Sequence, residues 1–201
     1  MKIGVTSGAA AANNLESVIA RAKELEAKGF PTMWMVQAFG HDAINALSIA
    51  GRETKTIELG TSVVPTYPRH PVALAQQALT AATATGGRFT LGIGLSHKVM
   101  IEDMLGLSYE KPAKHMREYL AVLVPLLKGE RVSFAGERYK VNVGVSTEDA
   151  PKPVSVLLAA LGPVMLNLAG AQADGTITWL TGFNTLEKHI VPSITKAAHD
   201  A

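Results

Sequence analysis

The chain has 201 residues, of which 47% are hydrophobic and 18% charged, which is enough for one well-buried core and too little for two domains of ordinary size. Its 19 Lys and Arg against 17 Asp and Glu leave a net charge of +2 that is spread along the chain, so we expect no nucleic-acid partner. The absence of cysteine excludes disulfides and thiolate metal sites, and because every apolar run is cut by Gly, Pro or a charge, we expect no membrane span.

Short apolar runs alternate along the chain with longer segments of helical period, a pattern typical of a parallel α/β fold. We predict that the runs are strands buried on both faces of one sheet. In chain order they are Lys2 to Thr6, Thr32 to Val36, Ile57 to Val63, Phe89 to Gly94, Val154 to Ala160 and Thr176 to Leu180.

Helices are predicted between these runs, because apolar residues there recur on one helical face. Gly29 follows the first helix, and Pro71 and Pro163 open the third and the fifth, at a position where the missing N–H costs little. The last helix is predicted from Thr185 to Ala198. The face of the first helix comprises Leu15, Val18, Ile19, Ala22 and Leu25.

One segment, from Arg131 to Val143, breaks the alternation with two strand-like arms around Ala135-Gly136, which predicts a surface β-hairpin before the fifth strand. Six βα units and this hairpin fill 201 residues, whereas a closed eight-stranded barrel takes about 250 residues. The expected fold is therefore α/β, a TIM-type (β/α) barrel in one domain over residues 1–201 that stops after about six βα units, with the C-terminal units absent.

The loops that follow the strands form the working face of a parallel barrel. The turn after the fifth strand runs directly into a helix whose first N–H groups lack partners, which favours a bound phosphate. A Gly-Pro turn is also an ordinary connection from strand to helix, and on its own that interpretation is the more frequent one. The turn consists of Ala160, Leu161, Gly162, Pro163 and Val164.

The fourth strand ends with Gly92 and Gly94, which would allow a flat ring to approach the backbone, and Ser96 and His97 behind them could donate hydrogen bonds. A lone histidine after a strand is nevertheless more often a solvated loop residue than a catalyst. After the third strand, the proline-rich segment from Pro65 to Pro71 suits either a rigid pocket wall or a stiff connection.

After the second strand, Gln37 and His41 are polar candidates, and Asp42 suits the N-cap of the next helix. Adjacency alone does not make His41 and Asp42 a catalytic dyad. After the sixth strand, Trp179 fits a ligand wall or equally the barrel core. The sequence has no Cys nucleophile, Gly-x-Ser-x-Gly elbow, P-loop or His-Glu-x-x-His motif, so a cofactor would have to supply the reactivity.

Four ordered segments of the chain resemble the luciferase-like monooxygenase superfamily, and in particular its coenzyme F420-dependent oxidoreductase branch. They are LGTSVVPTYPRHPVALAQQALT, GRFTLGIGLSH, FAGERYKV and LLAALGPVMLNLAGAQADGTITWLTG. The similarity extends from Met1 to about Phe183. It implies a TIM-type barrel whose cofactor carries a tricyclic ring over the ends of the third and fourth strands and a phosphate at the turn after the fifth.

The resemblance also implies a non-prolyl cis peptide between Ser62 and Val63, in a bulge that backs the ring. Gly92 to Ser96 would border the ring edge, and Ala160 to Val164 would hold the phosphate. The family's catalytic residues carry over less well: its sugar-phosphate dehydrogenases have an Asp-His pair where this chain has Gln37-Ala38. Gln37, His41 and His97 are therefore the catalytic candidates, with Ser62 as a further polar group, and no metal site is expected.

By this resemblance the protein transfers a hydride between F420 and a small organic molecule, and association into a homodimer is an expectation of the same kind. A cytoplasmic location is expected from the sequence itself, because it has no cysteine and its N-terminus, MKIGVTSG, lacks a basic region followed by an apolar run. An FMN-dependent monooxygenase of the same superfamily is the nearest alternative. A non-catalytic flavin-binding shortened barrel is another. A third is a fragment that cannot hold a cofactor, because an open barrel exposes strand edges that pair or aggregate.

Overall fold

The computed structural model describes residues 3–8, 14–151 and 153–201, so Lys2, the first residue of the first predicted strand, lies outside the described residues. The helices are α1 (Leu15–Ala27), α2 (Ala43–Arg52), α3 (Pro71–Ala84), α4 (Pro112–Leu127), α5 (Pro163–Gln172), α6 (Phe183–Thr185) and α7 (Val191–Asp200). The strands are β1 (Gly4–Thr6), β2 (Thr32–Met35), β3 (Glu58–Thr61), β4 (Val64–Pro65), β5 (Phe89–Gly94), β6 (Val132–Ala135), β7 (Lys140–Val143), β8 (Ser155–Ala159) and β9 (Gly175–Ile177).

A curled, parallel sheet organises the fold. Its strands follow the order β1-β2-β3-β5-β8-β9, and the short β4 pairs beside the end of β5. The helices between the strands pack against their neighbours in chain order and against the sheet. The α/β class and the parallel sheet predicted from the sequence are confirmed, and the six strands on the main path form half a barrel.

The first and the last of the predicted strands were wrongly expected to be buried on both faces. β1 and β9 are the first and last strands of the described sheet, and each keeps part of its surface exposed because it has a neighbour on one side. The strand predicted from Thr176 to Leu180 is also too long, because Leu180 adopts a left-handed conformation (φ 49°) and is 88% exposed.

A bulge interrupts the strand predicted from Ile57 to Val63. Gly60 pairs with Thr90, and Val64 pairs with Ile93, so residues 61–63 stand opposite residues 91–92 and one residue is extra. The strand therefore ends at Thr61 and resumes as β4. The bulge lies at the carboxyl end of the strand, on the edge of the sheet where the candidate site was predicted.

Local signals at the helix ends act as predicted. Asp42 caps α2 by accepting the Asn45 N–H at 2.9 Å, and Pro71 and Pro163 begin α3 and α5. Gly29 follows α1 with a φ of 77°, a conformation that glycine adopts without steric cost. The last predicted helix is longer than expected, because α6, a π-helical stretch (Leu186–Ile190) and α7 run on from one another.

The antiparallel pair β6 and β7 lies on the chain between α4 and β8. Ala135 pairs with Lys140, so the turn comprises residues 136–139 and is not centred on Ala135-Gly136. Glu118 of α4 accepts the N–H groups of Glu137, Arg138 and Tyr139 in that turn. These bonds fix the pair on α4.

Glu26, in the last turn of α1, holds the segment that leads into β3. One carboxylate oxygen accepts the N–H groups of Lys55, Thr56 and Ile57 at 2.8, 2.6 and 3.0 Å. Desolvation alone would raise the pKa of this carboxyl, but the three backbone donors outweigh it and lower the pKa from 4.5 to about 2.

Glu26→Ala is expected to lower the free energy of unfolding at pH 7 by about 1.5–3 kcal/mol, because hydrogen bonds to a charged acceptor are lost. Since the folded pKa of Glu26 lies below the unfolded value, its stabilisation is present above pH 4.5 and is lost as the pH falls toward about 2. Urea unfolding at about pH 7 and about pH 3 measures both quantities, with Glu16→Ala on the same helix as the control. A cost of Glu26→Ala that is equal at both pH values contradicts the assignment.

Within the described ranges, no helix combines the length and the apolar character needed to cross a membrane.

Candidate functional site

The ends of three neighbouring strands meet at one point of the sheet. A non-prolyl cis peptide joins Ser62 to Val63, which confirms that implication of the resemblance. A Cβ placed on Gly94 would lie 2.7 Å from Val63 Cγ2 and 3.0 Å from Ala159 Cβ. The bulge, the end of β5 and the end of β8 are therefore in contact, and Ser62 N donates to Met35 O of β2 at 2.8 Å.

Thr61 fills the gap that the bulge makes in the hydrogen-bond ladder. Its hydroxyl donates to Gly92 O at 2.8 Å and accepts Gly92 N–H at 2.9 Å, and its side chain is fully buried. A Cβ on Gly92 would lie 1.9 Å from Thr61 O. A glycine is therefore needed at position 92 because the backbone of Thr61 passes too close for a side chain. Sequence reasoning did not identify this contact.

Ser96 and His97 follow β5 on the same edge. Ser96 has a left-handed backbone (φ 63°) and lies half-buried, with Oγ 3.5 Å from Met100 Sδ. His97 is exposed, and its carbonyl accepts the Met100 and Ile101 N–H groups that begin a π-helical turn (Met100–Met104). Ser96 therefore lies nearer the strand ends than His97 does.

The turn after β8 presents backbone donors to open space. Among the described side chains none caps α5, and no described heavy atom lies within 4 Å of the place a Gly162 Cβ would take. Leu166 N–H is bonded to Gly162 O, whereas Val164 and Met165, in the first turn, have no carbonyl one turn earlier in the helix. Room, free donors and the helix dipole together suit a phosphate.

Leu161 in this turn is tied to the C-terminal helical segment. His189 Nε2 lies 2.9 Å from Leu161 O, so the imidazole donates to the carbonyl that precedes Gly162. Ala160, by contrast, is buried and its N–H donates to Ile177 O at 3.2 Å. The five residues predicted for the phosphate thus form a turn held from both sides.

The candidates after β2 have local partners. Gln37 Oε1 accepts Ala43 N–H at 2.7 Å and so helps to cap α2, and His41 is exposed. Asp42 pairs with Arg69 at 2.5 Å. The structure therefore shows a structural use for the Gln37 side chain, whose Nε2 also donates to Ala38 O at 3.4 Å.

Sequence reasoning missed a group of packed rings beside this edge, two of them buried and three half-buried, which we call the tyrosine–histidine cluster. His115 of α4 is 2% exposed, and its ring stacks on Tyr67 with centroids 4.1 Å apart and 4° between the planes. The signal was that His115 and Tyr119 stand four residues apart on an apolar helical face. The cluster consists of Tyr67, Tyr109, His115, Tyr119 and Tyr139.

The cluster is uncharged at neutral pH. Burial lowers the pKa of His115 to about 4, with Arg138 adding to the effect, and burial raises the pKa of Tyr67 and of Tyr139 to about 12. Burial also raises the pKa of Tyr109 and of Tyr119. Neutral rings packed in this way can orient a neighbouring backbone without adding charge to it.

The loop after β9 and the first residue of α6 are open to solvent. Trp179 is 67% exposed and Phe183 is 90% exposed, so the interpretation of Trp179 as barrel core is wrong. The other tryptophan, Trp34 of β2, does pack against the sheet: a Cβ on Gly60 would lie 2.3 Å from its ring, and one on Gly4 would lie 2.8 Å from its Nε1. Glycines on both adjacent strands make room for this indole.

In the part of the chain that the structure describes, no group of three or more His, Asp or Glu side chains is arranged to hold a metal ion. This edge of the sheet carries instead the Ser62-Val63 bulge, the end of β5 at Gly94 and, after β8, the uncapped N-terminus of α5. This arrangement suits a flat ring that carries a phosphate.

Comparisons with known proteins agree with this description. The family model for luciferase-like monooxygenases matches residues 1–201. A 5,10-methylenetetrahydromethanopterin reductase of Archaeoglobus fulgidus is 34% identical over 156 residues, covering 77% of this chain and 46% of that protein. A putative coenzyme F420-dependent oxidoreductase of Mycobacterium tuberculosis is 33% identical over 199 residues, covering 91% of this chain and 56% of that protein. The chain spans about half the length of these curated relatives.

Among solved structures, the FMN-bound oxygenating constituent of 3,6-diketocamphane monooxygenase, a type II Baeyer–Villiger monooxygenase from the CAM plasmid of Pseudomonas putida, has a TM-score of 0.82. It is 16% identical, and the match covers 100% of this chain and 63% of that one. At this identity the likeness shows the fold, a half barrel that matches the barrels of luciferase-like structures.

Proposed function

The chain belongs to the luciferase-like monooxygenase family, and from that membership we propose that it is an oxidoreductase that binds coenzyme F420 and transfers a hydride between this deazaflavin and a small organic substrate. The curated relatives include a reductase and a putative F420-dependent oxidoreductase, each about one third identical to this chain. Because the chain spans about half their length, this activity is proposed from the part of the site that it carries.

One observation carries the proposal: the Ser62-Val63 bulge and the free N-terminus of α5 stand at the same edge of the sheet with β5 between them. Two strand spacings separate them, which is about 10 Å. A ring placed against the bulge and Gly94 would then have its phosphate within reach of the Val164 and Met165 N–H groups. The half-buried Ser62 and Ser96 would border the ring.

The protein's own contribution is to bind and to orient. Reduced F420 supplies a hydride at its ring when bound. The backbone N–H groups of α5 would hold the phosphate, and the bulge would fix the face of the ring. Gln37 Nε2, which donates a long hydrogen bond to Ala38 O at 3.4 Å, would donate to a polar edge of ring or substrate in its place. His41 and His97, exposed on the loops after β2 and β5, would be the groups that exchange a proton with substrate.

FMN is the second candidate cofactor, because it also joins a tricyclic ring to a phosphate and the FMN-bound monooxygenase shares the fold over the whole chain. The purified protein should be titrated with F420 and with FMN without oxygen, following the fluorescence of each ligand. Tight binding of F420 and weak binding of FMN is the expected result.

Preference for FMN, together with oxygen consumption by the reduced complex, would favour the monooxygenase. Binding without turnover of any substrate would favour the non-catalytic flavin-binding protein. Binding of neither cofactor contradicts both proposals for this chain.

A further inference from the structure

We propose that His115, whose hydrogen-bond and ring partners are Thr66 and three tyrosines, is a positioning residue: it joins the two backbone segments that would border the cofactor ring and sets the spacing between them. This inference rests on the proposed function, because it concerns the same cofactor site. One segment is the bulge with β4 and the residue after it, and the other is the end of β5 with Ser96.

The first link runs through Thr66. His115 Nε2 lies 2.9 Å from Thr66 Oγ1, and Thr66 N–H donates to Gly94 O at 3.0 Å. Both side chains are buried, His115 at 2% exposure and Thr66 at 0%. The imidazole therefore anchors the residue whose backbone closes the last hydrogen bond between the bulged strand and β5.

The second link runs through two tyrosines. Tyr67 stacks on His115, and its hydroxyl lies 3.5 Å from Tyr109 O. The ring of Tyr109 stacks on that of Tyr67 with centroids 5.1 Å apart, and its hydroxyl donates to Ser96 O at 3.3 Å. One imidazole thus touches both neighbours, Thr66 and Tyr67, that lead to the two borders of the site.

A purely apolar core would not need an imidazole at this position. Burying a polar ring without a partner costs free energy, and a phenylalanine could stack on Tyr67 equally well. What His115 adds is the bond to a threonine hydroxyl that is itself buried, so each polar group satisfies the other. The second ring nitrogen of His115, Nδ1, lies 3.5 Å from the hydroxyl of Tyr139, which stands in the turn between β6 and β7.

Two substitutions separate stacking from hydrogen bonding. His115→Phe keeps a flat ring against Tyr67 and loses the bond to Thr66, whereas His115→Gln places an amide that can restore that bond. Amide hydrogen exchange of the cofactor-free protein, followed by NMR, measures the exchange rate of the Thr66 N–H directly. We expect its exchange to be roughly 10-fold faster in His115→Phe and close to wild type in His115→Gln.

The two His115 variants and the wild-type protein are then titrated with F420 and FMN. We expect the affinity for the preferred cofactor to fall roughly 10-fold in His115→Phe, with a changed emission of the bound ligand, and to recover in His115→Gln. Tyr119→Phe is the control, because it removes another hydrogen bond of the cluster, from the Tyr119 hydroxyl to Arg69 O. It should leave the exchange of Thr66 unchanged.

The inference is overturned if Thr66 exchange does not change in His115→Phe, or if it rises only together with remote amides such as Leu59, which bonds to Arg88 O. Should His115→Phe not fold, Thr66→Val removes the same bond from the other side and is judged by the same readouts. If the wild-type protein binds neither cofactor, the proposed function fails, while the exchange experiment still decides whether His115 positions the strand ends.

Discussion

Replacing Gly92 with alanine is expected to lower the free energy of unfolding by about 3 kcal/mol. The added Cβ would lie 1.9 Å from Thr61 O and 2.7 Å from Ile177 Cδ1. The first of these atoms is backbone in the bulge and cannot move aside as a flexible side chain would. Since the total stability of a domain is about 5–15 kcal/mol, one methyl group would remove a large share of it.

Urea unfolding followed by circular dichroism measures this effect, with Gly144→Ala as the control. A Cβ on Gly144 would meet Arg131 at 3.8 Å, an ordinary contact, so the control tests the loss of glycine without a clash. Unfolding midpoints that coincide for the two variants would show that the bulge yields easily, and the geometry assigned to Thr61 and Gly92 would then be wrong.

Gly162→Asp is expected to weaken binding of a phosphate-bearing cofactor roughly 10- to 100-fold, because two like charges a few ångströms apart repel by about 1–3 kcal/mol at a protein surface. The same change is expected to preserve or raise stability by about 0.5 kcal/mol, since aspartate is a good N-cap and favours a helix N-terminus. No heavy atom of the described residues lies within 4 Å of the added Cβ, so none of them clashes with it.

Gly162→Asn is the matched control, since asparagine caps a helix about as well and carries no charge. The titration measures affinity and thermal unfolding measures stability. If the aspartate and asparagine variants bind the cofactor equally, the phosphate does not lie at α5. The difference between them should also shrink as salt is added, because salt screens exposed charges.

Periodicity predicted the strands and helices well wherever local composition decides them. Pro71, Pro163 and Asp42 marked helix starts correctly because capping depends on neighbouring residues in the chain. Periodicity did not predict the bulge. Its extra residue exists only relative to the paired strand β5, where Gly92 bonds to Thr61 from 31 positions away, and Thr61-Ser62-Val63 is a segment that any strand could contain.

The same distinction between local signals and tertiary contacts holds for the candidate site. The resemblance placed Ser62, Val63 and the α5 turn at neighbouring strand ends, and the fold brings those segments to one edge. Thr66 and Tyr67 lie in the proline-rich segment that was singled out, but their contacts with His115 were missed because the hydrogen bond between Thr66 and His115 joins residues 49 positions apart. A histidine in an apolar helical face was a visible signal, but its partners depend on tertiary structure.

The packing of Trp34 against Gly4 and Gly60 gives the protein an optical property of its own. The chain has two tryptophans. Trp34 lies half-buried among the strands, whereas Trp179 stands in solvent on the loop after β9. Indole emission shifts to longer wavelength with exposure to water, so the blue part of the spectrum should come from the sheet and the red part from the loop. Intrinsic fluorescence can therefore follow the interior and the rim separately, without any label.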